Sequence, residues 1–431
     1  MHEVGEARDT IVALSSGAPP AAIGVVRLSG PLAGDALRRL AGRVPEPRWA
    51  SVALLRNAAG DVLDEAVILW FPGARSATGE DLAEFHCHGG RAVVDAIQRE
   101  LVAIPSVRAA QPGEFTRRAF ANGRIDLAEA EGLGDLLAAE TELQRASAMA
   151  NARGAVSGRV AAWRDEVLRL SAMVEAALDF SDEGDVDDLP ENFTWNMQAL
   201  NKDLSEWLDR PRSEKLGEGF RVALAGPPNA GKSTLFNALV ESEAAITSPL
   251  AGTTRDAIER RVAISGVPFS FVDTAGLRDG SEDTIEMIGI DRARGEIDRA
   301  DVVLWLGEEG VGPAGAWEVA ARSDAADFQA KISAAYMVSA TTGEGLSELK
   351  QGLVRAAEGM LPKPGEGALN ARQHEVLIEA RDALAGAAAV RDPLLVAEEL
   401  RRVRLAFDRV LGKATTEDML DALFGRFCIG K

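Results

Sequence analysis

Short apolar runs alternate with helical patterns over the first part of the chain. Residues 11–14, 23–28 and 66–71 have the length and composition of strands, and residues 31–41 and 90–103 carry apolar positions three and four apart. Strands that alternate with helices are typical of a domain in which helices pack on a sheet. The pattern therefore predicts an N-terminal α/β domain.

The strand pattern stops near residue 121, and a helical pattern replaces it. One set of apolar residues steps by three and four along the chain, which predicts a single buried stripe on a long helix. The members of this stripe are Val160, Trp163, Val167, Leu170, Val174 and Ala177.

Two polar segments that contain Gly or Pro, residues 211–219 and 361–367, divide the rest of the chain. The pattern after the second segment is again helical. We therefore predict a helical domain that is interrupted by an inserted domain, and a domain tethered at both ends can pass a nucleotide-dependent motion into the helices that carry it. The predicted divisions are 1–120 for the α/β domain, 121–216 and 366–431 for the two helical parts, and 217–365 for the inserted domain.

The inserted segment begins with a complete phosphate-binding loop. Residues 226–233 read Gly-Pro-Pro-Asn-Ala-Gly-Lys-Ser, after an apolar strand-like run at 221–225 and before a helical pattern at 233–239. The glycines let backbone N–H groups surround phosphate oxygens at a helix N-terminus. We expect Lys232 to reach the β- and γ-phosphates and Ser233 to bind Mg²⁺. The loop predicts a nucleoside triphosphate site.

Two further segments follow in the order found in phosphate-loop NTPases. Residues 273–276 read Asp-Thr-Ala-Gly after the strand-like run 269–272, and in such enzymes this aspartate holds Mg²⁺ through water. Residues 252–256, Gly-Thr-Thr-Arg-Asp, form a polar loop in which a threonine can complete the Mg²⁺ shell only while the γ-phosphate is present. Together the three segments predict a nucleotide-dependent switch.

The element that should select the base is altered. Residues 339–343, Ser-Ala-Thr-Thr-Gly, resemble the guanine-supporting loop of GTPases, but the expected Asn-Lys-x-Asp element reads Ala-Arg-Ser-Asp at 321–324. Asp324 can still accept hydrogen bonds from guanine, and Arg322 can lay its aliphatic stem over the base. Loss of the asparagine should loosen the loop. We predict a guanine nucleotide, with reduced base selectivity as the alternative.

The glutamine that orients water in Ras-like GTPases is replaced by Leu277. A leucine can neither hydrogen-bond nor transfer a proton, so another group must position the water. Arg255 and Arg278 are candidates for stabilising charge in the transition state, and for each of them an ordinary surface arginine is the alternative.

The composition describes a soluble, acidic chain. It has 431 residues, 46% of them hydrophobic, and a net charge of −20, which argues against a surface that coats nucleic acid. No run approaches the ~18 apolar residues that span a bilayer, and the acidic N-terminus lacks a signal-peptide pattern. One basic cluster near the C-terminus is either a nucleic-acid patch or an ion-paired surface. It consists of Arg401, Arg402, Arg404 and Arg409.

The two cysteines, Cys87 and Cys428, lie far apart in the sequence and favour a reducing compartment. We therefore expect a cytoplasmic protein with no membrane partner. Cys87 lies between His86 and His88, which raises the alternative of a metal site. A His-x-His pair on a strand without further ligands is more often structural.

With these residues in hand, the chain closely resembles the MnmE (TrmE) family of tRNA-modification GTPases nearly end to end. The fold that the resemblance implies is multidomain α/β and all-α, with an N-terminal α/β folate-binding domain, a split helical domain and an inserted Ras-like P-loop GTPase domain. Beyond the nucleotide segments, the resemblance rests on residues 79–81 (Gly-Glu-Asp), 88–90 (His-Gly-Gly), 112–120, 126–131 and 427–431 (Phe-Cys-Ile-Gly-Lys).

The resemblance implies a set of GTP-binding positions, of which Ser233 and Thr254 would ligate Mg²⁺. The full set is Asn229, Ala230, Gly231, Lys232, Ser233, Thr234, Ser248, Pro249, Leu250, Ala251, Gly252, Thr253, Thr254, Asp273, Thr274, Ala275, Gly276, Asp324, Ser339 and Ala340.

The resemblance also implies a substitute for the missing glutamine. Family G domains dimerise around a K⁺ ion that takes the place of an arginine finger, and the fixed cation offsets transition-state charge. Glu286 matches the family's water-orienting carboxylate, although composition alone would favour an exposed helix glutamate. The matching K⁺ ligands are Asn229, Ser248, the carbonyl of Leu250, and Thr253.

A folate site is implied as well. 5-Formyltetrahydrofolate or a related tetrahydrofolate would supply a one-carbon unit, and Arg124 stands where lysine is common in the family, which keeps the positive charge. Cys428 belongs to the family's terminal Cys-x-Gly-Lys and is either a catalytic residue or an incidental thiol. The positions that match the family's folate site are Arg27, Glu84, Arg124 and Lys431.

The family acts as a homodimer with an FAD-containing MnmG-type partner, in a heterotetramer that modifies carbon 5 of the wobble uridine (position 34) of certain tRNAs to carboxymethylaminomethyl- or aminomethyluridine. The resemblance implies the same GTP-hydrolysing activity here. The alternative is a GTP-switched assembly or scaffold protein, in which the nucleotide controls docking and the chain has no direct role in the tRNA chemistry.

Overall fold

The computed structural model describes residues 9–179, 189, 191–241, 243–245, 259–274, 294–326 and 328–431. The chain divides into two compact units. The first comprises Met1–Gly134 and Leu411–Lys431, and the second comprises Asp135–Val410. The C-terminal residues therefore belong to the same unit as the N-terminal ones.

The first unit contains a six-stranded sheet in the order β3-β4-β5-β2-β1-β6, antiparallel except for the parallel pair β1–β6. Alternate residues such as Val26, Ile68 and Phe85 are fully buried on one face, as the period of two in a strand requires. The strands are β1 Thr10–Leu14, β2 Ile23–Ser29, β3 Ser51–Arg56, β4 Val62–Phe71, β5 Leu82–His88 and β6 Val107–Ala109.

Two amphipathic helices, α1 (Ala33–Ala41) and α2 (Arg91–Val102), cover this buried face. Three more helices contribute to the unit, and a small cluster that includes Leu127, Phe424 and Phe427 packs between them. They are α3 Glu114–Ala121, α4 Leu127–Ala138, whose last turn lies in the second unit, and α13 Glu417–Phe424. The predicted strands and helices of this region are confirmed.

The second unit contains a seven-stranded sheet in the order β13-β12-β11-β7-β10-β9-β8. Strands β13, β12, β11, β7 and β10 are parallel to one another, whereas β9 pairs antiparallel with both β10 and β8. The strands are β7 Phe220–Ala225, β8 Ala244–Ala245, β9 Glu259–Ile264, β10 Val267–Asp273, β11 Val302–Trp305, β12 Trp317–Ala321 and β13 Tyr336–Val338.

The remaining helices of the second unit include the predicted long one. The predicted stripe, from Val160 to Ala177, is buried along α6, which confirms the period of 3.6. Trp163 stacks on Phe407 at 5.9 Å, so α6 and α12 share a core. The helices are α5 Glu142–Ala152, α6 Ala155–Asp179, α7 Glu191–Leu208, α8 Glu214–Glu218, α9 Lys232–Glu241, α10 Leu346–Glu358, α11 Ala371–Ala389 and α12 Pro393–Val410, and residues 294–299 are also helical.

The structure confirms the fold class. It combines an α/β unit with a mainly parallel sheet of the kind found in phosphate-loop domains and a set of packed helices. Among the described residues, none of the helices has both the length and the apolar character needed to cross a membrane.

Candidate nucleotide and folate sites

The phosphate loop connects β7 directly to α9. Gly226 and Gly231 have φ angles of +149° and +90°, and Asn229 at the exposed loop tip has φ +63°. Gly226 and Gly231 adopt these positive φ angles without steric cost, because glycine has no Cβ. At Gly226 there is also little room, since a Cβ would lie 3.0 Å from the backbone nitrogen of Gly307. The sequence thus folds into a loop whose backbone faces the N-terminus of α9.

Lys232 is buried at the first position of α9, and its ammonium group follows the loop backbone. Nζ donates to the carbonyl oxygens of Gly226 at 2.9 Å and Pro227 at 2.7 Å. This position holds the charge inside the ring of backbone groups where phosphate oxygens would bind. Lys232 therefore lies at the phosphate loop, and its contact with the β- and γ-phosphates stays a prediction.

Ser233 lies beside the last residue of β10. Its Oγ donates to Oδ2 of Asp273 at 2.7 Å. The pairing of β10 with β7 explains the contact, because Asp273 is in register with Leu224 and both parallel strands end at the same edge. Thr274, the next residue, donates its hydroxyl to the carbonyl of Leu224 at 2.7 Å. Two predicted segments are thus joined at the phosphate loop.

The predicted base loop lies at the same edge of the sheet. The hydroxyl of Ser339 donates to Oδ1 of Asp324 at 2.6 Å, and this hydroxyl also accepts from the backbone N–H of Thr342 at 3.0 Å. The hydrogen bond from Ser339 is the main cause that lowers the pKa of Asp324 below its ordinary value. Asp324 is therefore an anionic acceptor, as recognition of the N–H groups of guanine requires.

A cleft of about 870 Å³ joins the phosphate and base loops. Five of the lining residues were not predicted as site residues. Apolar side chains carry no chemical signal in a sequence, and Thr341 was covered only as part of the predicted 339–343 segment. The five are Pro228, Leu235, Ala325, Val338 and Thr341. The lining residues are Pro228, Asn229, Gly231, Lys232, Ser233, Thr234, Leu235, Ala321, Arg322, Asp324, Ala325, Val338, Ala340 and Thr341.

Part of the predicted nucleotide site lies outside the described residues. Those positions are Ser248, Pro249, Leu250, Ala251, Gly252, Thr253, Thr254, Arg255, Ala275, Gly276, Leu277, Arg278 and Glu286.

In the first unit, Arg27 and Glu84 form an ion pair across the neighbouring strands β2 and β5. The guanidinium of Arg27 donates to Oε1 of Glu84 at 3.0 and 2.8 Å, and Nε2 of His86 lies 3.0 Å from Oε2. Burial raises the pKa of Glu84, but the hydrogen bond from His86 and the charge of Arg27 outweigh it, so the pKa is lowered. Arg27 also lies over the Phe115 ring, 6.0 Å from its centroid.

The other two predicted folate residues belong to the same unit. Arg124 follows α3 and lies near Gly79, where a Cβ would be 3.2 Å from Cγ of Arg124. Lys431 ends a tail that is fixed to β1, because Ser15 donates its hydroxyl to the carbonyl of Gly430 at 2.8 Å. The structure thus brings Arg27 and Glu84 into direct contact and attaches the C-terminus to the strand beside β2.

Cys428 lies in that tail and is exposed. Its carbonyl accepts from the N–H of Gly113 at 3.4 Å, and Ile429 forms a bridge with Pro112. The shape of the tail therefore depends on main-chain contacts to the loop before α3, while the Cys428 thiol is left accessible.

The second cysteine and its flanking histidines have structural partners. Cys87 is buried, burial raises the pKa of its thiol, and its S–H donates to the carbonyl of Gly24. His88 lies 2.6 Å from Asp64. In the described part of the chain, no three His, Cys, Asp or Glu residues are grouped so that they could hold a metal ion.

The arginine cluster on α12 is largely ion-paired. Arg401 contacts Glu398 at 2.7 Å, and Arg402 contacts Glu399 at 2.8 Å. Arg409 donates to Glu379 at 2.5 Å on the neighbouring helix α11. These contacts favour the ion-paired surface over the nucleic-acid patch, since the carboxylates offset most of the positive charge.

The fold and the site define a phosphate-loop GTPase domain within a multidomain chain. Two family models match it, the MnmE helical domain over residues 127–428 and the GTP-binding protein TrmE N-terminus over residues 10–124. The chain belongs to the MnmE family of tRNA modification GTPases.

Curated relatives support the assignment over the full length. The tRNA modification GTPase MnmE of Erythrobacter litoralis is 60% identical and covers 98% of this chain and 100% of its own. That of Novosphingobium aromaticivorans is 58% identical, with 98% and 100% covered. Among solved structures, the G domain of the T. maritima FeoB iron transporter is 27% identical over 32% of this chain and 98% of that chain, at a TM-score of 0.23. The assignment rests on the family models and the relatives, not on that structure.

Proposed function

We propose that this protein is a potassium-activated GTPase that acts with an FAD-containing MnmG-type partner to modify carbon 5 of the wobble uridine of certain tRNAs. One observation carries the nucleotide part of the proposal. A single cleft holds Lys232 and Ser233 of the phosphate loop together with Asp324, and Ser233 hydrogen-bonds Asp273. These are the groups needed for a triphosphate at one end and a guanine at the other.

Magnesium fits the phosphate end of the cleft. Mg²⁺ prefers oxygen ligands, and the hydroxyl of Ser233 and the carboxylate of Asp273 lie together there. In our proposal Ser233 and Thr254 hold the ion and Asp273 contacts it through water. The bound ion would neutralise negative charge on the β- and γ-phosphates.

Potassium is proposed for the hydrolysis step. Asn229 presents its side chain from the exposed tip of the phosphate loop, in a left-handed backbone conformation. Its amide oxygen would bind K⁺ together with Ser248, Leu250 and Thr253 in a dimer of G domains. Leu277 cannot orient water, so Glu286 is proposed to do so.

The folate part of the proposal rests on the first unit. A tetrahydrofolate carries a pterin that donates hydrogen bonds and a tail that ends in carboxylates. The ionised Glu84 can accept from such donors, and Arg27, Arg124 and Lys431 supply positive charge for carboxylates. The residues present therefore fit this group, which would provide the one-carbon unit.

The complete assembly would be a homodimer of this chain bound to its MnmG-type partner and to tRNA. The partner would supply FAD, and it would also supply part of the tRNA surface, because this chain carries a net charge of −20. The most direct test is nucleoside analysis of tRNA from a strain in which this chain is the sole member of its family. The modified wobble nucleoside should be present with the partner and absent when either protein is removed.

The same strain separates the proposal from a scaffold role. A Cys428→Ser variant should keep GTP turnover and reduce the modified nucleoside if the chain takes part in the chemistry. If the nucleoside persists in cells that lack this chain altogether, the tRNA function is wrong.

A further inference from the structure

Arg322, in the altered base-recognition element at residues 321–324, contacts the phosphate loop. The position that would carry asparagine is Ala321, whose methyl group cannot hydrogen-bond, and Arg322 follows it. A Cβ built on Gly231 of the phosphate loop would lie 3.3 Å from Cγ and 3.6 Å from Cδ of Arg322, against 4.0 Å from Cβ of Ala321. The aliphatic stem of Arg322 therefore packs on Gly231.

The backbone at this position directs the side chain across the loop. Arg322 has φ +62°, a left-handed conformation that is unfavourable for a residue with a Cβ. Two main-chain hydrogen bonds hold the turn, from the N–H of Ala325 to the carbonyl of Arg322 at 2.9 Å and from Ser323 to Val338 at 3.2 Å. The conformation is thus fixed by the turn that follows β12.

The same residue also acts on the base carboxylate. Arg322 lies two positions before Asp324, and its positive charge adds to the hydrogen bond from Ser339 in lowering the pKa of that carboxyl. Arg322, Gly231 and Asp324 all line the same cleft. One side chain is therefore in contact with the phosphate-binding end and electrostatically coupled to the base-binding end.

We infer that Arg322 is a positioning residue that fixes the distance between the phosphate anchor and the base-reading carboxylate of this site. Packing of its aliphatic stem on the phosphate loop takes the place of the hydrogen bonds that the usual asparagine would make. The stem also forms one wall of the cleft for the guanine base. The inference rests on the proposed function, because it requires that the cleft binds a guanine nucleotide. It assigns base selectivity to packing by Arg322 in a chain without the usual asparagine.

The test compares the release of N-methylanthraniloyl-GDP from the full-length protein and three variants. Arg322→Ala and Arg322→Gly should each release it about ten-fold faster, the effect of losing about two packed methylene groups. Arg322→Lys should stay within about two-fold of wild type, because it keeps a stem. Glycine adopts the left-handed backbone without cost, so agreement between the alanine and glycine variants assigns the effect to the side chain.

A second readout separates positioning from general weakening. The 2-amino group of guanine distinguishes GDP from IDP, and Asp324 must be held in place to read it. The GDP-to-IDP affinity ratio should fall in Arg322→Ala and should not change in Arg355→Ala, an exposed arginine on α10. Wild-type release by Arg322→Gly, or an unchanged ratio in Arg322→Ala, would overturn the role of Arg322. Failure of the wild-type protein to bind GDP would overturn the proposed function as well.

Discussion

The hydroxyl of Ser233 donates a hydrogen bond to Oδ2 of Asp273 at 2.7 Å and so joins the start of α9 to the end of β10. The two residues are 40 positions apart in the sequence. They meet because β7 and β10 are parallel neighbours, so that the loop after one strand lies beside the last residue of the other. The hydroxyl oxygen of Ser233 and the carboxylate of Asp273 form the centre of the proposed Mg²⁺ site.

Replacing Ser233 by alanine should remove the dependence of nucleotide affinity on magnesium. Lys232 and the loop backbone would still hold the phosphates, so GDP should bind with similar affinity in the presence of Mg²⁺ and of EDTA. Fluorescence titration with a GDP analogue under both conditions measures this difference. Ser205→Ala on α7, which removes a hydroxyl bonded to the carbonyl of Asn201, is the control. A variant Ser233→Ala that keeps the full magnesium effect would contradict the assignment.

Replacing Arg118 by methionine should destabilise the first unit. The Arg118 side chain is 9% exposed and pairs with Asp9, Glu80 and Glu114. Its removal takes the shared cation from all three carboxylates, and Arg108 still pairs with Asp9 and Glu114 while the Ser29 hydroxyl still bonds Glu80. Loss of one member of such a largely buried network costs about 3 kcal/mol. Hydrogen exchange of the β1 and β2 amides should increase accordingly.

The control for Arg118 is Arg38→Met. Arg38 pairs with Asp35 on the surface, where the two side chains are 65% and 60% exposed, so the expected loss is below about 0.5 kcal/mol. Equal effects of the two substitutions would show that the buried network around Arg118 contributes nothing beyond a surface pair.

The ion pair of Glu84 should make the first unit sensitive to acid. Since the pKa of Glu84 is lowered in the folded protein, the pair stabilises fully above the ordinary value of 4.5 and loses its contribution as pH falls through the lower folded value. The melting temperature of wild type should therefore fall toward that of Glu84→Gln as the pH is lowered, and the two should differ most near neutral pH. A difference that is independent of pH would contradict the ionised pair.

Gly430→Ala should release the C-terminal tail. Gly430 has φ +91°, and a Cβ there would lie 2.2 Å from the carbonyl oxygen of Leu14. Gly123, with φ +64° and no atom within 4 Å of the Cβ position, is the matched control, because it shares the backbone strain but not the clash. Hydrogen exchange by mass spectrometry should show faster exchange of residues 427–431 in Gly430→Ala only. Equal protection in both variants would exclude the close contact as the cause.

Much of the architecture could be predicted from local patterns. The phosphate loop, the strand that ends at Asp273 and the stripe on α6 each depend on residues close together in sequence, so periodicity and motif order were sufficient. Strand β3, at one edge of the first sheet, was missed because the apolar residues Val52 and Leu54 are exposed and Leu55 alone in this strand is fully buried, so the sequence shows no clear alternation of apolar and polar positions.

The contacts between distant segments could not be predicted in this way. Nothing in the sequence around Arg322 indicates that its stem packs on Gly231, because the contact depends on the left-handed backbone at the end of β12. Likewise, the fixing of Gly430 to Ser15 joins the two ends of the chain, and it follows from the tertiary fold alone. Residue types in the sequence indicate which chemical groups the candidate site contains, whereas the distances between those groups could not be predicted.

We propose that the cleft around Lys232, Ser233 and Asp324 hydrolyses GTP with the help of a potassium ion. The most direct test of this proposal is the rate of phosphate release from GTP by the full-length protein in potassium chloride and in sodium chloride of equal ionic strength. We expect much faster turnover in potassium, with Glu286→Ala and Asn229→Ala slow in both salts and GTP still bound by the Glu286 variant. Equal turnover in the two salts would contradict it.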